Sequence, residues 1–373
     1  MVFWGLLGTG CASVRAQNLP VSVAGKEAIS ELAVGMELET LPGGLIVVAP
    51  STTMLGEVKI DPNYAIKLLR QVGVYMPTKS GELRQVVSVR HEVNDRVLAL
   101  QIARLTARLL RLHQEHVGQE ATFPQGEEIA QLWLSRLPAA SGIKIAGETR
   151  INHLYLYQVT QPRTVIEWVR VLAHEWGHLT LPAARGFREP EGDASGFLGE
   201  RLYLKWLNED ARALPRKFDD FCEREGLQLY SDRQITPLIS LYNGSGPSDK
   251  RLDQNSGGAM DYYIGMALSA DASFGSKVSG FALYHTEDVT PRALANAIRN
   301  GVFLQPELKV TLPAWVPFAP DTYTVLGSAG KVSVDVRSVD PAKPVPFKII
   351  TPGFKLVKGT VATIIIRRGV PKK

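Results

Sequence analysis

Residues 171–182 read VLAHEWGHLTLP and contain two histidines, His174 and His178, with Glu175 directly after the first. Residues four apart in an α-helix lie one above the other on the same face, so two imidazoles at this spacing can hold one metal ion. Glu175 stands beside that pair, close enough to reach a water molecule on the metal. The HExxH pattern therefore predicts a zinc site, provided that the segment is helical. The alternative is two histidines with ordinary hydrogen bonds on a core helix.

The residues before this stretch supply the start of a helix. The sequence Thr164-Val165-Ile166-Glu167 has the form of a capping box, in which the threonine hydroxyl and the glutamate carboxylate each satisfy an unpaired backbone N–H. An apolar run follows, and the helix should stop before Leu181-Pro182, because a residue preceding proline avoids the α region. Both histidines should thus lie in the last turns of a mostly buried helix.

The composition is that of a soluble globular protein, with 45% hydrophobic and 21% charged residues in a chain of 373. The net charge of +5 is mild for this length. Basic residues occur on a predicted helix and in the C-terminal tail, but without the interleaved aromatic side chains of a nucleic-acid surface. We therefore expect solvated basic faces and no nucleic-acid partner.

The N-terminal segment, residues 1–16, has an apolar run and small residues, and Val14-Arg15-Ala16 resembles a cleavage site. Cys11 lies in a sequence similar to a lipid-attachment box. We expect a signal or lipoprotein segment and an extracytoplasmic protein, secreted or lipid-anchored; the alternative is a cytoplasmic start that happens to be apolar. Cleavage after Ala16 would leave Cys222 as the only cysteine. Later apolar runs are too short to span a membrane, so membrane contact is expected only through the N-terminus.

The rest of the chain predicts an α+β fold. Strands are expected between residues 31 and 50 and between 143 and 160, the latter feeding directly into the HExxH helix. The edge of such a strand is a natural place for a peptide substrate to add. Helices are expected at 61–76, at 94–116 with Gly118 ending the helix, and from 195 to 214.

The chain divides near residue 305. Residues 17–304 are expected to form the main domain, with a helical subdomain from about residue 195. Thr290-Pro291 should open the last helix of this domain, and Asn300-Gly301 should end it. Beyond it, strand candidates alternate with proline and glycine turns, which predicts a small all-β module over residues 305–373.

A catalytic zinc ion takes three protein ligands, so a third must follow the two histidines. The longer pattern HExxHxxGxxH is excluded, because its last two fixed positions hold Leu181 and Ala184. The remaining acidic candidates are Glu189, Glu191, Asp193 and Glu200. Glu200 is favoured, since its neighbours at helical spacing are apolar, and a buried carboxylate there needs a cation. That cation is zinc; in the alternative, Glu200 pairs with an arginine or caps a backbone.

With these residues the chain resembles the gluzincin-type zinc metallopeptidases, whose signature is HExxH followed by a glutamate on the next helix. The match comprises His174, Glu175, His178 and Glu200 and extends over roughly residues 90–300. The resemblance implies a zincin-like catalytic domain with Zn²⁺ as cofactor and a peptide or protein as substrate. Many gluzincins carry an acidic residue four positions after the ligand, where this chain has Leu204. Asp193 or Glu189 would then have to support the ligands from behind.

A second resemblance lies in Asp261-Tyr262-Tyr263-Ile264-Gly265. Aminopeptidase-like gluzincins have a Tyr-x-Lys-Gly stretch whose tyrosine donates to the developing oxyanion, and Tyr262 and Gly265 match its spacing. Tyr263 and His285 are alternates for that role. The competing interpretation is two half-buried tyrosines on a core helix.

These patterns together predict a hydrolase that cleaves peptide bonds through a zinc-bound water, with Glu175 as general base. The alternative is a non-catalytic, zinc-stabilised protein that binds a partner or docks on a surface. A purely structural zinc site does not need a carboxylate beside an open coordination position, so Glu175 favours the enzyme.

Overall fold

The computed structural model describes part of the chain. The described residues are 19, 21–25, 36–50, 58–61, 64–66, 70–118, 129–139, 146–150, 153–213, 224–245, 249–252, 258–304, 307–310, 324–328, 331–336 and 362–368. Within them the protein is α+β, with a mixed sheet and several helices. The N-terminal segment, Cys11 and Cys222 lie outside the described residues.

The main sheet has eight strands. In chain order the first ten strands among the described residues are β1 (Ser22–Val23), β2 (Met36–Thr40), β3 (Ile46–Pro50), β4 (Val58–Asp61), β5 (Tyr64–Ile66), β6 (Arg70–Pro77), β7 (Leu83–His91), β8 (Ala130–Leu134), β9 (Gly147–Arg150) and β10 (His153–Leu156). The sheet order is β2-β3-β6-β7-β8-β10-β9, with β1 paired to β7, while β4 and β5 form a separate pair. The β7–β8 and β8–β10 pairs are parallel and the other pairs are antiparallel. Strand β9 therefore forms one edge of the sheet.

The helix predicted over residues 61–76 is wrong, because most of that segment is strand. Strand β6 is buried on both faces: Val72 and Val74 belong to the main core, whereas Tyr75 packs in a smaller cluster on the other side. A strand buried on both faces shows no polar–apolar alternation, and a short apolar run of this kind is easily taken for a buried helix.

The described residues form eight α-helices, of which the sequence predicts the first three and the last. They are α1 (Arg96–Val117), α2 (Val165–Thr180), α3 (Ser195–Ala213), α4 (Arg224–Tyr230), α5 (Thr236–Ser245), α6 (Ala259–Phe274), α7 (Ser276–Tyr284) and α8 (Pro291–Leu304). Helix α1 ends at Gly118, which has the left-handed φ of 77°. Helix α2 starts at the complete capping box of Thr164 and Glu167. Helix α8 continues past Gly301, where the sequence predicted its end.

Helices α2 and α3 touch through glycines. A Cβ atom built on Gly177 would lie 2.5 Å from the Ser195 carbonyl oxygen and 2.8 Å from Gly199 Cα, and one on Gly199 would lie 2.9 Å from the Ala173 carbonyl oxygen. Real Cβ atoms essentially never approach so closely, so both positions require glycine. This contact brings the first turns of α3 directly against the histidines of α2.

The C-terminal part contains β11 (Glu307–Val310), β12 (Thr324–Ser328), β13 (Lys331–Val336) and β14 (Ala362–Arg368), paired in the order β11-β14-β13-β12. These strands lie within residues 305–373, for which the sequence predicts strands. The independence of this module stays a prediction. None of the described helices combines the length and the apolar character needed to cross a membrane.

Candidate metal centre

The two histidines of the HExxH stretch share one face of α2, as their spacing predicts. Their ring centroids lie 5.0 Å apart, with the rings nearly perpendicular. The Nδ1 atom of His178 lies 2.9 Å from Ser195 Oγ, and that of His174 lies 3.6 Å from Glu200 Oε2. The Nε2 atoms are at 3.4 and 3.8 Å from the carboxylate oxygens of Glu191. Each ring thus has an oxygen near Nδ1, within hydrogen-bonding distance for His178, and presents Nε2 to the same carboxylate.

Glu191 lies in the loop between α2 and α3 and completes a three-residue cluster with the histidines. One potential ligand atom from each of the three lies within 4.8 Å of the others. Glu191 Oε1 is buried and has no hydrogen-bond partner among the described residues. A buried carboxylate oxygen without a partner is costly unless a cation meets it, so the cluster fits a metal ion.

Gly196 keeps the space between the histidines open. A Cβ atom at this position would lie 2.5 Å from His174 Nε2 and at least as close to His178 Nε2. Zinc binds imidazole nitrogen at about 2.0–2.1 Å. A side chain at residue 196 would therefore crowd both nitrogens that a metal ion would need, and glycine avoids that contact.

The protonation of the histidines in the metal-free protein follows from their surroundings. Burial lowers the pKa of His174, but Glu191, Glu200 and Glu175 outweigh that effect and raise the pKa to about 9. Burial, followed by the charge of His174, lowers the pKa of His178. A metal ion at the cluster must therefore displace a proton from His174 at neutral pH.

Glu200, predicted as the third ligand, takes a different position. Its Oε1 accepts hydrogen bonds from Arg170 Nε at 2.8 Å and Tyr230 Oη at 2.7 Å, and Arg201 Nη1 lies 2.8 Å from Oε2. Burial raises its pKa, but His174, Arg201, Tyr230 and Arg170 together lower it to about 2. The prediction of a buried carboxylate in need of a cation is right, yet arginines supply that cation. Glu200 lies behind the Nδ1 atom of His174, and Glu191 replaces it in the cluster.

The support expected from Asp193 or Glu189 comes from Asp193. Its Oδ1 accepts hydrogen bonds from the backbone N–H of Ser195 at 2.9 Å and from Ser195 Oγ at 2.8 Å, and Ser195 Oγ in turn contacts His178. Glu189 is exposed. Carboxylates therefore stand behind both rings, directly for His174 and through a serine for His178, which fixes the ring orientations.

Glu175 is buried beside the cluster, with only 6% of its surface exposed. Its Oε2 accepts a hydrogen bond of 2.8 Å from Thr149 Oγ1 on the edge strand β9. A Cβ atom at Gly147, on the same strand, would lie 2.8 Å from Glu175 Cγ, so glycine permits this close contact. Burial raises the pKa of Glu175 to about 7, against the opposing effects of His174 and Thr149.

A cleft of about 870 Å³ opens over these residues. Its lining includes the two histidines, Glu175 and Glu191, together with β9 residues 147–149 and the cleft-facing arginines Arg163 and Arg170. The open cleft gives a small molecule or an extended chain access to the cluster.

The three residues predicted for the oxyanion, Tyr262, Tyr263 and His285, do not line this cleft. Tyr262 is buried and its ring lies 5.3 Å from that of Tyr242, and Tyr263 is buried with its ring 5.8 Å from that of Phe187. His285 is exposed and lies 4.3 Å from Phe281. The competing interpretation of tyrosines on a core helix matches their positions. Helix α6 is buried on almost all sides, so tyrosine and glycine at these positions are explained by packing in the core. The two-residue match to the motif was therefore weak evidence for a catalytic tyrosine.

Several residues of the site were missed or not chosen from the sequence. Glu191 was one of four acidic candidates, but no periodicity fixes the direction of a loop side chain. Ser195 and Gly196 carry a weaker signal, since a serine–glycine pair at the start of a helix that follows a metal-binding helix indicates close helix contact. Comparison with protein-family models and with curated proteins finds no match to this chain.

Proposed function

We propose that this protein is a zinc-dependent peptidase with His174, His178 and Glu191 as metal ligands and Glu175 as general base. One observation carries this proposal. Two imidazole Nε2 atoms and an unpartnered carboxylate oxygen converge in an open cleft, directly beside a second, buried carboxylate.

The donor set suits zinc. Two histidine nitrogens and one carboxylate oxygen form a common ligand set of catalytic zinc sites, which leave a position open for water or substrate. When bound, zinc supplies Lewis acidity, because it polarises a carbonyl group and makes water more acidic. The space kept free by Gly196 and the orphaned oxygen of Glu191 both support a bound cation.

The chain's own residues supply the proton transfer. Glu175 has its pKa raised by burial to about 7 in the metal-free protein, so its carboxylate is poised to accept a proton from attacking water near neutral pH. The same group then delivers that proton to the leaving amine. Thr149 holds one of its oxygens, which fixes the carboxylate for both steps.

An extended peptide is the substrate that the fold accommodates best. Strand β9 forms the edge of the main sheet and lines the cleft with residues 147–149. The outer edge of such a strand offers unpaired backbone groups, to which an extended peptide can add as a further strand. A scissile bond held this way would lie between the sheet edge and the histidines.

A zincin-like relationship remains part of the proposal, with an altered ligand arrangement. Many gluzincins carry an acidic residue four positions after the glutamate ligand. Glu200, beside Nδ1 of His174, takes the place of that supporting residue. The glutamate ligand would then be expected four residues earlier, where this chain has Gly196, which has no side chain. In this interpretation the loop residue Glu191 supplies the missing carboxylate.

The decisive experiment combines metal analysis with Glu175→Gln. We expect purified protein to hold one zinc per chain and to hydrolyse members of a diverse peptide library. Glutamine keeps the size and the hydrogen-bonding capacity of glutamate but removes the base. The variant should retain zinc and thermal stability while turnover falls by about a hundred- to ten-thousandfold. A wild-type protein that holds zinc but cleaves no peptide would instead favour the zinc-stabilised binding protein.

A further inference from the structure

Arg170 lies on α2 one turn before His174, on the face that carries both histidines. It lines the cleft, and 45% of its side chain is exposed. Neither the metal cluster nor the proton transfer uses it. A cationic side chain in this position faces whatever occupies the cleft.

The guanidinium of Arg170 is held in one orientation. Its Nε donates to Glu200 Oε1 at 2.8 Å, and its plane lies over the Tyr230 ring at 5.4 Å. Tyr230 itself donates to the same carboxylate oxygen. An arginine fixed by such contacts loses less conformational entropy when it binds a ligand.

Glu200 pairs with two arginines, of which Arg170 is the more exposed. Arg201 also pairs with Glu200, at 2.8 Å, and its side chain is only 13% exposed. The Arg170 guanidinium is therefore the one that a ligand in the cleft can reach, with Glu167 as a further acidic neighbour. Arg163 also lines the cleft, but it donates to the carbonyls of Tyr157 and Gln158.

We propose that Arg170 binds a carboxylate of the peptide substrate, an inference that rests on the proposed peptidase function. The planar guanidinium matches a carboxylate with two parallel hydrogen bonds. The four residues from Arg170 to His174 advance about 6 Å along the helix axis, and an extended peptide advances about 3.3–3.6 Å per residue. The bound carboxylate therefore belongs about two residues from the scissile bond. Its source is either the chain terminus or an aspartate or glutamate side chain.

The test compares matched peptides on the zinc-loaded enzyme. One pair differs only in a free or amidated C-terminus, and the other only in aspartate or asparagine two residues from the cleaved bond. One of the two pairs contains the carboxylate that Arg170 binds. For that pair, we expect the wild-type kcat/KM to be at least tenfold higher for the peptide with the carboxylate than for its neutral partner, chiefly through a lower KM. Arg170→Gln should reduce that ratio to near one. Added salt should reduce the wild-type ratio, because the cleft is open to solvent.

Arg104→Gln is the matched control. Arg104, on α1, is 35% exposed and, like Arg170, pairs through Nε with a glutamate, here Glu39 at 2.5 Å, but it does not line the cleft. Its variant should keep the wild-type ratio. Arg170→Lys keeps the positive charge but cannot make two parallel hydrogen bonds to a carboxylate, so it should give an intermediate ratio. This variant provides a second test if Arg170→Gln folds poorly. Because each ratio is taken within one protein, partial loss of zinc or of folded protein cancels.

The outcomes separate the two proposals. A wild-type enzyme that cleaves peptides with ratios unchanged in both Arg170 variants would overturn the role of Arg170 and leave the peptidase function intact. If no peptide of the library is cleaved, both proposals fall. A preference confined to the free C-terminus identifies the chain end as the bound group, and one confined to aspartate identifies a side chain.

Discussion

Replacing Gly196 with alanine tests the metal site with a single methyl group. The added Cβ would lie 2.5 Å from His174 Nε2 and at least as close to His178 Nε2, whereas ordinary contacts start at 3.4 Å. Each ring would have to move by about 1 Å, or α3 would have to shift. Zinc–nitrogen bonds of about 2.0–2.1 Å do not tolerate that displacement. We expect zinc affinity to fall by more than the 10- to 100-fold typical of supporting residues.

The metal-free protein should remain folded. Overpacking costs about 1–3 kcal/mol, while alanine in place of glycine in a helix returns up to about 1 kcal/mol. The net loss is therefore about 0–3 kcal/mol, measured by denaturant unfolding in the presence of a chelator. Zinc affinity is measured by competition with a fluorescent chelator.

Gly192→Ala provides the control for this experiment. It adds the same methyl group in the preceding loop, where the nearest atom to the new Cβ would be the Phe187 carbonyl oxygen at 3.9 Å. It should bind zinc like wild type. If Gly196→Ala binds zinc within about threefold of wild type, the two Nε2 atoms do not hold the metal and the site is misassigned.

Further variants and conditions separate the two glutamates. Glu191→Ala should lose zinc, with exposed Glu189→Ala as its control; equal zinc content in both would remove Glu191 as a ligand. Glu200→Gln should destabilise the metal-free protein by about 3 kcal/mol, because Arg170 and Arg201 lose their carboxylate; an unchanged unfolding midpoint would contradict this. The pKa of Glu200 is lowered from 4.5 to about 2, so its contribution, up to ~3 kcal/mol, is complete above pH 4.5 and is lost as the pH falls toward 2. The pKa of His174 is raised from 6.5 to about 9, so its contribution is complete below pH 6.5 and is lost as the pH rises through 9. The free energy of unfolding of metal-free wild type and of Glu200→Gln, measured across this pH range, tests both pH dependences. If both proteins lose stability in parallel as the pH falls, the contribution assigned to Glu200 is contradicted.

Local patterns predicted the parts of the site that depend on local physics. Helix α2 could be placed because Thr164 and Glu167 form its cap and Pro182 excludes its continuation. The burial of Glu200 also followed from its apolar helical neighbours. Its partner did not, because Arg170 is on another helix and the pairing depends on how α2 and α3 pack. Glu191 depends on the path of a loop, which no periodicity encodes.

The glycine contact between α2 and α3 has a consequence for the kinetics and thermodynamics of metal uptake. Because Gly177 and Gly199 hold the two helices together, the ends of the loop at residues 181–194 are fixed before any ion arrives. Closing a loop of this length costs on the order of 2 kcal/mol of chain entropy. Here that entropy is lost when the protein folds and not when the metal ion binds. Hydrogen exchange of the Leu198 amide, which donates to the Ala194 carbonyl at 2.8 Å, should accordingly be slow in the metal-free protein, and zinc should slow it only slightly further.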